Sequence, residues 1–550
     1  MLHVLPTEMT LNVLSHLPIP SLLSLSVLSR QWLDFFTTNQ SEIFHSAALL
    51  HEYIQPEILS LDDALSVNTS RPWAGLTSWK DFCHRSFQLR KNWEGKGRVV
   101  MRVLSPPGFN VHRIKVDEKA GICITTHSGG GLSVIHLFSS TVLWCLPLAY
   151  VRPYAHCEYD NGFLVFDRED GAKEVWRLAS DLSTEGEVAA DAPPDSRQMD
   201  ASARAVMVYH QYAPRGQFRP WALLTFPEAT RAYRLAYPTL ICASDDHAFL
   251  HDVRTGYLVQ TIDFDIHLQE LSYVAYVDVN ERHAFVSEQD AVHVFSRESG
   301  SEVLQIPADA TVESSRLVED PSLVSGDSFI APLSVSPNVD DSRPGFVAAH
   351  VSRDGRDLVV LSDRRRKGVV FIRDFERICR GEISLEQAGL VLSIPPWYIC
   401  CYLGFEHGRV CVATVRVSHL PSRLHMFMLV DLKVQGLFIF TFGSDLSAKA
   451  VFVRPTDPAA SVRLRFINCM QLTDSHIYFM WQDARHRQDI PLFKDEENAR
   501  ELPPPITPTL IGEFQEQLLA AQPGGRSFTT SVPLGADSYT LYSLSYIRPG

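Results

Sequence analysis

Phe249-Leu250-His251-Asp252-Val253-Arg254-Thr255-Gly256 and Val292-His293-Val294-Phe295-Ser296-Arg297-Glu298-Ser299-Gly300 can be laid over one another without a gap when anchored on their glycines. Phe163-Leu164-Val165-Phe166-Asp167-Arg168-Glu169-Asp170-Gly171 joins them on the same anchor. In each, a largely apolar strand ends in Asp or Ser four positions before a glycine, and a second apolar pair follows: Leu258-Val259, Val303-Leu304 or Val175-Trp176. The glycine permits the tight turn that joins the two strands. From Gly256 to Gly300 is 44 residues, and from Gly171 to Gly256 is 85, about twice as far. A repeat of that length is one small sheet that cannot bury both faces alone and needs neighbours stacked around a ring.

Outward from these segments the same texture continues. From residue 99 the apolar period changes from about 3.6 to 2, and short runs are divided by Gly, Asp, Asn and Pro at intervals that suit four-stranded blades. Further blades are predicted around 112–147, 203–237, 346–378, 403–440 and 464–482, giving about seven. The anchored segments resemble the end of a WD repeat, with His251-Asp252, Phe166-Asp167 and Phe295-Ser296 where that family has Trp-Asp. The Gly-His dipeptide of the family is missing. The resemblance implies an all-β propeller of WD-like blades over 99–493; a β-sandwich, or two smaller β domains, is the other arrangement such strands permit. A ring must also close, and either the strand at 98–103 or the late strand at 539–547 is suited to complete a blade from the other end. Three stretches interrupt the pattern: an acidic loop at 183–200, a proline-marked insertion at 307–345, and the stretch 494–508 with Pro503-Pro504-Pro505, which leads into a C-terminal tail and strand at 494–550.

The first forty residues have a different period. Met9, Val13 and Leu17 fall at i, i+4 and i+8 with Leu14 beside them, which makes an apolar stripe on one helix over 8–17. Pro18 and Pro20 end it. Ser21 is expected to cap a second helix carrying Leu22, Leu23, Leu25, Val27 and Leu28, and Ser29 a third containing Trp32, Phe35 and Phe36. Three helices this small cannot bury so much leucine and aromatic surface among themselves, so some of it must meet a partner or the next domain.

Leu5-Pro6-x-Glu8, Val13-Leu14-x-x-Leu17, Leu22-x-x-Leu25-x-Val27-x-Ser29-Arg30-x-Trp32 resembles the F-box pattern from start to end. The resemblance covers residues 4 to about 40, within a domain set at 1–45. It implies binding to the Skp-type adaptor of an SCF-type cullin–RING ubiquitin ligase. Carried over by position, Leu5, Pro6, Val13, Leu14, Leu17, Leu22, Leu25 and Trp32 either touch the adaptor or hold the helices together, and at this stage the two roles are not divided. A plain helical cap on the following domain is the alternative.

Residues 46–98 read as a helical linker. Trp79, Phe82, Cys83 and Phe87 keep helical spacing, and Ser78-Trp79-Lys80-Asp81-Phe82 with Leu89, Arg90, Lys91, Asn92, Trp93 and Gly95 resembles the linker ahead of WD-repeat domains in F-box proteins. A packed linker would hold the propeller at a fixed distance from the adaptor, which matters for transfer between positioned groups.

Composition narrows the chemistry. Of 550 residues, 45% are hydrophobic and 21% charged, which excludes wholesale disorder. A formal net charge of −14 argues against bulk binding to nucleic acid or an anionic membrane. The ten cysteines show neither a C-x-x-C pair nor zinc-type spacing, so they are expected to be buried thiols in a cytoplasmic or nuclear setting, with Asn39 and Asn68 sequons silent. No secretory signal or membrane span is expected. Hydrolase, metalloprotease and phosphate-loop motifs are missing, and Gly129-Gly130-Gly131 precedes a strand, which suits a turn. The expectation is a receptor without catalytic residues, cofactor or metal. One basic cluster stands out, Arg364-Arg365-Arg366-Lys367, between two strands. Arginine forks suit carboxylate or phosphate, so it is a candidate contact for a target protein with an acidic or phosphorylated degron; a solvated turn and a nuclear-localisation signal are the competing readings. A scaffold outside any ligase, or a propeller that binds a small molecule in its channel, is the alternative function.

Overall fold

The computed structural model describes residues 5–67, 73, 75–97, 99–104, 111–182, 191–264, 274–288, 290–308, 314–321, 330–337, 346–352, 354–362, 368–395, 398–418, 429–443, 446–453, 464–483 and 539–546. Helices come first: α1 (Thr7–Ser15), α2 (Ile19–Ser26), α3 (Arg30–Thr38), α4 (Gln40–Leu50), α5 (Leu61–Val67) and α6 (Trp79–Trp93). Strands follow from Val100, and among the described residues they form seven sheets, the blades of a propeller. The N-terminal helices and seven-bladed all-β ring agree with the expected architecture.

Blades 1 to 4 are single antiparallel sheets in chain order, beginning with the strands Val111–Asp117, Cys157–Asp160, Ala232–Ala236 and Tyr276–Val279. Phe346–Val351, Tyr398–Glu406 and Leu464–Leu472 begin blades 5, 6 and 7. These seven first strands pack against one another in a closed circle around the channel. Contacts between them rise together in sequence: Arg113 with His156, Lys115 with Glu158, Asp117 with Tyr159. The first strands therefore run in one direction, and their starts and ends define two opposite faces of the ring.

Closure uses both ends of the chain. Blade 7 takes Leu464–Leu472, His476–Asp483 and Tyr539–Ser545 from the C-terminal side and Val100–Val103 from the start of the ring, with Val100 opposite Ser545 and Val103 opposite Tyr542. Blade 7 then locks to blade 1 by polar contacts. The Gln471 side chain accepts from the Val116 amide (2.6 Å) and donates to the Val116 carbonyl (2.9 Å), while Glu118 accepts from Thr473 (2.8 Å) and Tyr478 (3.0 Å).

Several local expectations are corrected. At Gly256 and Gly300 the turn joins the third and fourth strands of blades 3 and 4, whereas Phe163–Asp167 and Lys173–Leu178 flank Gly171 as the second and third strands of blade 2. The Gly171 segment is out of phase because an apolar strand followed by glycine marks any tight hairpin. The true counterpart lies in blade 1, where Ser140 (φ 59°) stands where Gly256 (φ 78°) and Gly300 (φ 74°) do. All three amides donate to the carbonyl four residues back, on His136, Asp252 and Ser296, at 2.9, 2.8 and 2.8 Å. Serine at a left-handed position hid the repeat.

The third and fourth strands of blade 2 are instead separated by an excursion that contains α7 (Ser196–Tyr209), so 203–237 is not one blade and 183–200 is not all loop. Asp195 caps α7 with Gln198 as its capping box, a signal that the acidic, proline-marked context obscured. In the insertion 307–345, Ser314–Val318 pairs in parallel with Gly389–Ser393 on the outer edge of blade 5, and Val335–Pro337 pairs beyond it. Ile330–Leu333 extends blade 6 along Ala448–Val453. Prolines are tolerated there because an edge strand leaves one row of amides unused. Ser21 lies inside α2, which begins at Ile19 with Pro20 in its first turn, where a missing amide costs nothing.

Candidate functional site: the helical face and the ring channel

Ser29 caps α3 by accepting from the Trp32 amide at 3.3 Å, which starts the helix so that Trp32 and Phe36 point inward. Trp32 meets Phe35 edge-on, with ring centroids 6.0 Å apart, and Phe36 reaches Phe44 of α4 at 6.3 Å. Leu14, Ile19 and Leu22 complete this small core with no exposure. Of the eight residues the F-box pattern singles out, Leu14, Leu22 and Trp32 are thus packing residues rather than surface ones. Leu17 and Leu25 are half-buried, and Leu5, Pro6 and Val13 are exposed.

Four more apolar side chains of these helices and their junction are exposed: Met9, Val27 (76% exposed), Leu28 (68%) and Leu33. Met9 and Val13, four residues apart, share one side of α1, and Leu5 stands just ahead of its Pro6 cap. Val27 and Leu28 sit at the α2–α3 junction. The sequence puts Met9, Val27 and Leu28 among the apolar helix residues without marking them as contacts and does not single out Leu33, because periodicity finds a stripe but does not say which side of it the core takes.

α6 mounts the helical module on the ring. Trp93 stacks on Tyr546 with centroids 3.6 Å apart and planes 9° from parallel, and its indole N–H donates to the Asp474 carbonyl at 2.9 Å. The Trp73 indole N–H donates to the Asp474 carboxylate, and Asn92 donates to the Tyr546 carbonyl. The Arg409 guanidinium lies 4.8 Å over the Trp93 ring, and burial pushes its pKa down to about 10, so it stays charged at neutral pH. Lys449 reaches Glu94 at 2.6 Å. One apolar cluster runs from Leu14 through Trp79 and Phe82 into Leu437, Phe479 and Tyr546, so module and blades 6 and 7 share a core. Asp474 sits in the turn after a first strand, which puts the helical module on the face where those strands end.

The channel is bridged by charge. Glu158 takes Lys115 at 2.8 Å and Arg234 at 3.2 Å; Arg234 also approaches Asp278 at 3.7 Å, and His350 lies 3.4 Å from the other Asp278 oxygen. Arg113 donates to His156 at 3.2 Å and to Tyr402 at 2.6 Å. The network thus links first strands from blade 1 round to blade 6. Burial pushes the Glu158 carboxyl up, but Lys115, Arg234 and His156 outweigh it and hold it well below its ordinary value. At the face opposite the helical module the rim carries His112, Arg152, Tyr154 and His156. Burial and the neighbouring Arg113 push His112 down to about 4, so it is neutral there.

The basic cluster Arg364, Arg365, Arg366 and Lys367 lies outside the described residues, as does 494–508. The strands flanking the cluster end at Ser362 and resume at Gly368, and Ser362 pairs with Phe346 at the start of a first strand, on the face away from the helices. The described cysteines are free thiols. Among the described residues no group of three His, Cys, Asp or Glu side chains is placed to hold a metal, and no helix is long and apolar enough to cross a membrane.

A three-helix module with an open apolar face, fixed to one side of a seven-bladed ring, defines a protein-interaction module carried on a propeller. The F-box domain family matches residues 2–43, so the chain carries an F-box domain ahead of a seven-bladed β-propeller. No curated protein matches it. Solved structures that resemble it are the Cps50 (Swd1) β-propeller domain of Myceliophteria thermophila, 8% identical with a TM-score of 0.40 over 69% of this chain and 96% of that one. The computationally designed Ika8 protein is 12% identical with a TM-score of 0.37 over 68% and 95%. Raptor from Chaetomium thermophilum is 11% identical with a TM-score of 0.39 over 84% and 37%.

Proposed function

We propose that this chain is the substrate receptor of an SCF-type cullin–RING ubiquitin ligase: the F-box docks on a Skp-type adaptor, and the propeller holds a target protein for ubiquitination. The observation that carries the reading is the set of apolar side chains left exposed on the F-box helices and their junctions, Leu5, Met9, Val13, Val27, Leu28 and Leu33, on a module locked to the ring elsewhere. So many exposed apolar side chains on so small a module mark a protein contact. The chain supplies no nucleophile in this scheme; it raises the transfer rate by holding target and charged ubiquitin carrier together. The target meets the face opposite the helices, and Arg364, Arg365, Arg366 and Lys367, which in sequence follow a strand ending on that face, suit an acidic or phosphorylated segment. The WD-like character of blades 3 and 4 fits such a receptor.

The test uses the full chain, because residues 1–98 alone would uncover Trp73, Trp93 and Phe82. Wild-type protein is expected to co-purify with adaptor and cullin together. Val13→Asp with Leu28→Asp is expected to abolish both while leaving the unfolding midpoint within about 0.5 kcal/mol, since both side chains are surface ones. Adaptor without cullin would favour a scaffold outside the ligase; neither protein with the intact chain would refute the reading.

A further inference from the structure

α7 is built the wrong way round for a solitary surface helix. Its inward face is small and polar, with Gln198, Ala201, Ser202 and Ala205 buried against the ring. Its outward face carries Met199, Ala203, Val206 and Met207 at i, i+4, i+7 and i+8, with Met199 55%, Val206 38% and Met207 69% exposed. That spacing is the apolar stripe by which helices pair. Methionine suits such a face because its unbranched side chain adapts to a partner.

The helix is held firmly enough to present that stripe. Arg168 pairs with the capping Asp195 at 2.6 Å, Gln198 donates to the Ala222 carbonyl at 3.2 Å, and Arg197 donates to the Tyr150 carbonyl at 2.8 Å. At the far end Gln217 donates to the Tyr209 carbonyl at 2.6 Å. It lies against the outer strands of blades 1 and 2, while the F-box module packs on blades 6 and 7.

We propose that the α7 stripe is a self-association surface, occupied by α7 of a second copy of this chain in an antiparallel pair. The argument is complementarity under a two-fold axis. With the axis at Ala203, the small residue meets itself and lets the helices approach, and Met199 of each copy lies over Met207 of the other. Asp200 and Arg204 border the stripe on one flank, one turn apart and both exposed. Arg204 donates to the Asp200 backbone carbonyl at 3.3 Å, which keeps its guanidinium on that flank. In an antiparallel two-fold pair like flanks meet, so each Asp200 faces the partner's Arg204 twice over. An isologous contact requires this self-complementary sign pattern, and a surface selected for a different partner does not. One helix stripe is a small interface, so the association is weak, and it leaves both F-box faces and both channels open.

Sedimentation velocity on the full-length protein, followed up to about 100 µM so that a micromolar association is populated, tests this. Wild type is expected to shift from monomer to dimer with concentration, and Met207→Glu to remain monomeric with an unchanged thermal midpoint. Asp200→Arg and Arg204→Asp are each expected to weaken the dimer by about tenfold, and the double exchange to restore it to within about threefold. The restoration is the decisive readout, because loss of folding cannot produce it. A wild type that stays monomeric overturns the proposal and gives the stripe to a different helix. A dimer indifferent to Met207→Glu, or a double exchange that does not recover, places the interface elsewhere and overturns it too.

Discussion

Glu118 shows how one side chain fixes the last joint of the ring. It is buried between blades 1 and 7 and accepts from Thr473 and Tyr478, with His476 3.1 Å away. Burial pushes its carboxyl up, but the contacts from His476, Thr473 and Tyr478 outweigh that and hold it below its ordinary value of 4.5. A carboxyl lowered in the folded state contributes stability in full above 4.5 and loses it as pH falls through the folded value. Glu118→Gln is therefore expected to lower stability at neutral pH by about 1–2 kcal/mol, the worth of charge-assisted hydrogen bonds to a buried group. Denaturant midpoints of the two proteins should converge as pH falls well below 4.5; a gap that stays constant down to acid would mean the carboxylate charge does not hold the joint. The same residue-scale reasoning separates the F-box positions. Aspartate at Leu14 would bury a charge and unfold the module, so its loss of adaptor binding would say nothing about contact.

At the scale of elements, what the sequence disclosed depended on which residues carried the signal. The alternating strands and the Gly256 and Gly300 turns were legible, because glycine at a left-handed turn and period-2 apolar runs report local geometry directly. Ser140 takes the same turn without glycine, so its blade was found by its strands and not by its repeat, while Gly171 mimicked the pattern in the wrong hairpin. The edge strands Ser314–Val318 and Ile330–Leu333 were not legible at all, since they are strands only because a neighbouring blade offers them a row of backbone partners. The F-box helices were legible from Leu5 to Trp32, but the division between packing and open side chains needed coordinates. The turn argument can be measured. Ser140→Gly is expected to stabilise by about 1 kcal/mol, by relieving the left-handed penalty. Gly256→Ala is expected to destabilise by more than that penalty, because its φ is +78° and the new Cβ would stand 3.2 Å from Ala192 Cβ. Unfolding midpoints that move in the same direction for both substitutions would show that the two turns are not equivalent.

For the whole molecule the decisive feature is the turn Thr473-Asp474-Ser475, where the helices meet blades 1, 6 and 7. Trp73 and Trp93 arrive from the helices, Arg409 from blade 6, Glu118 through Thr473 from blade 1, and the last described residue, Tyr546, donates its amide to the Ser475 carbonyl at 3.0 Å. The surface on which α6 sits exists only once Tyr539–Ser545 has closed blade 7, so ring closure and placement of the F-box are one event. Trp93→Ala removes the stack on Tyr546, the hydrogen bond to Asp474 and the ring beneath Arg409, and leaves Arg409 buried with less to hold it. Truncating a buried tryptophan costs about 3–5 kcal/mol, and here that loss falls on the joint rather than on either core. The expected outcome is a larger maximum dimension in small-angle scattering and faster amide exchange along Trp79–Trp93, with the adaptor binding proposed for Val13 and Leu28 retained. A ligase receptor with such a slack joint should transfer ubiquitin more slowly at unchanged adaptor affinity, because the rate depends on the geometry held between the two ends. Scattering and exchange identical to wild type would mean that the shared apolar core, not the Asp474 turn, sets the orientation. Loss of adaptor binding together with the larger dimension would mean that the helices cannot keep their own fold without the ring.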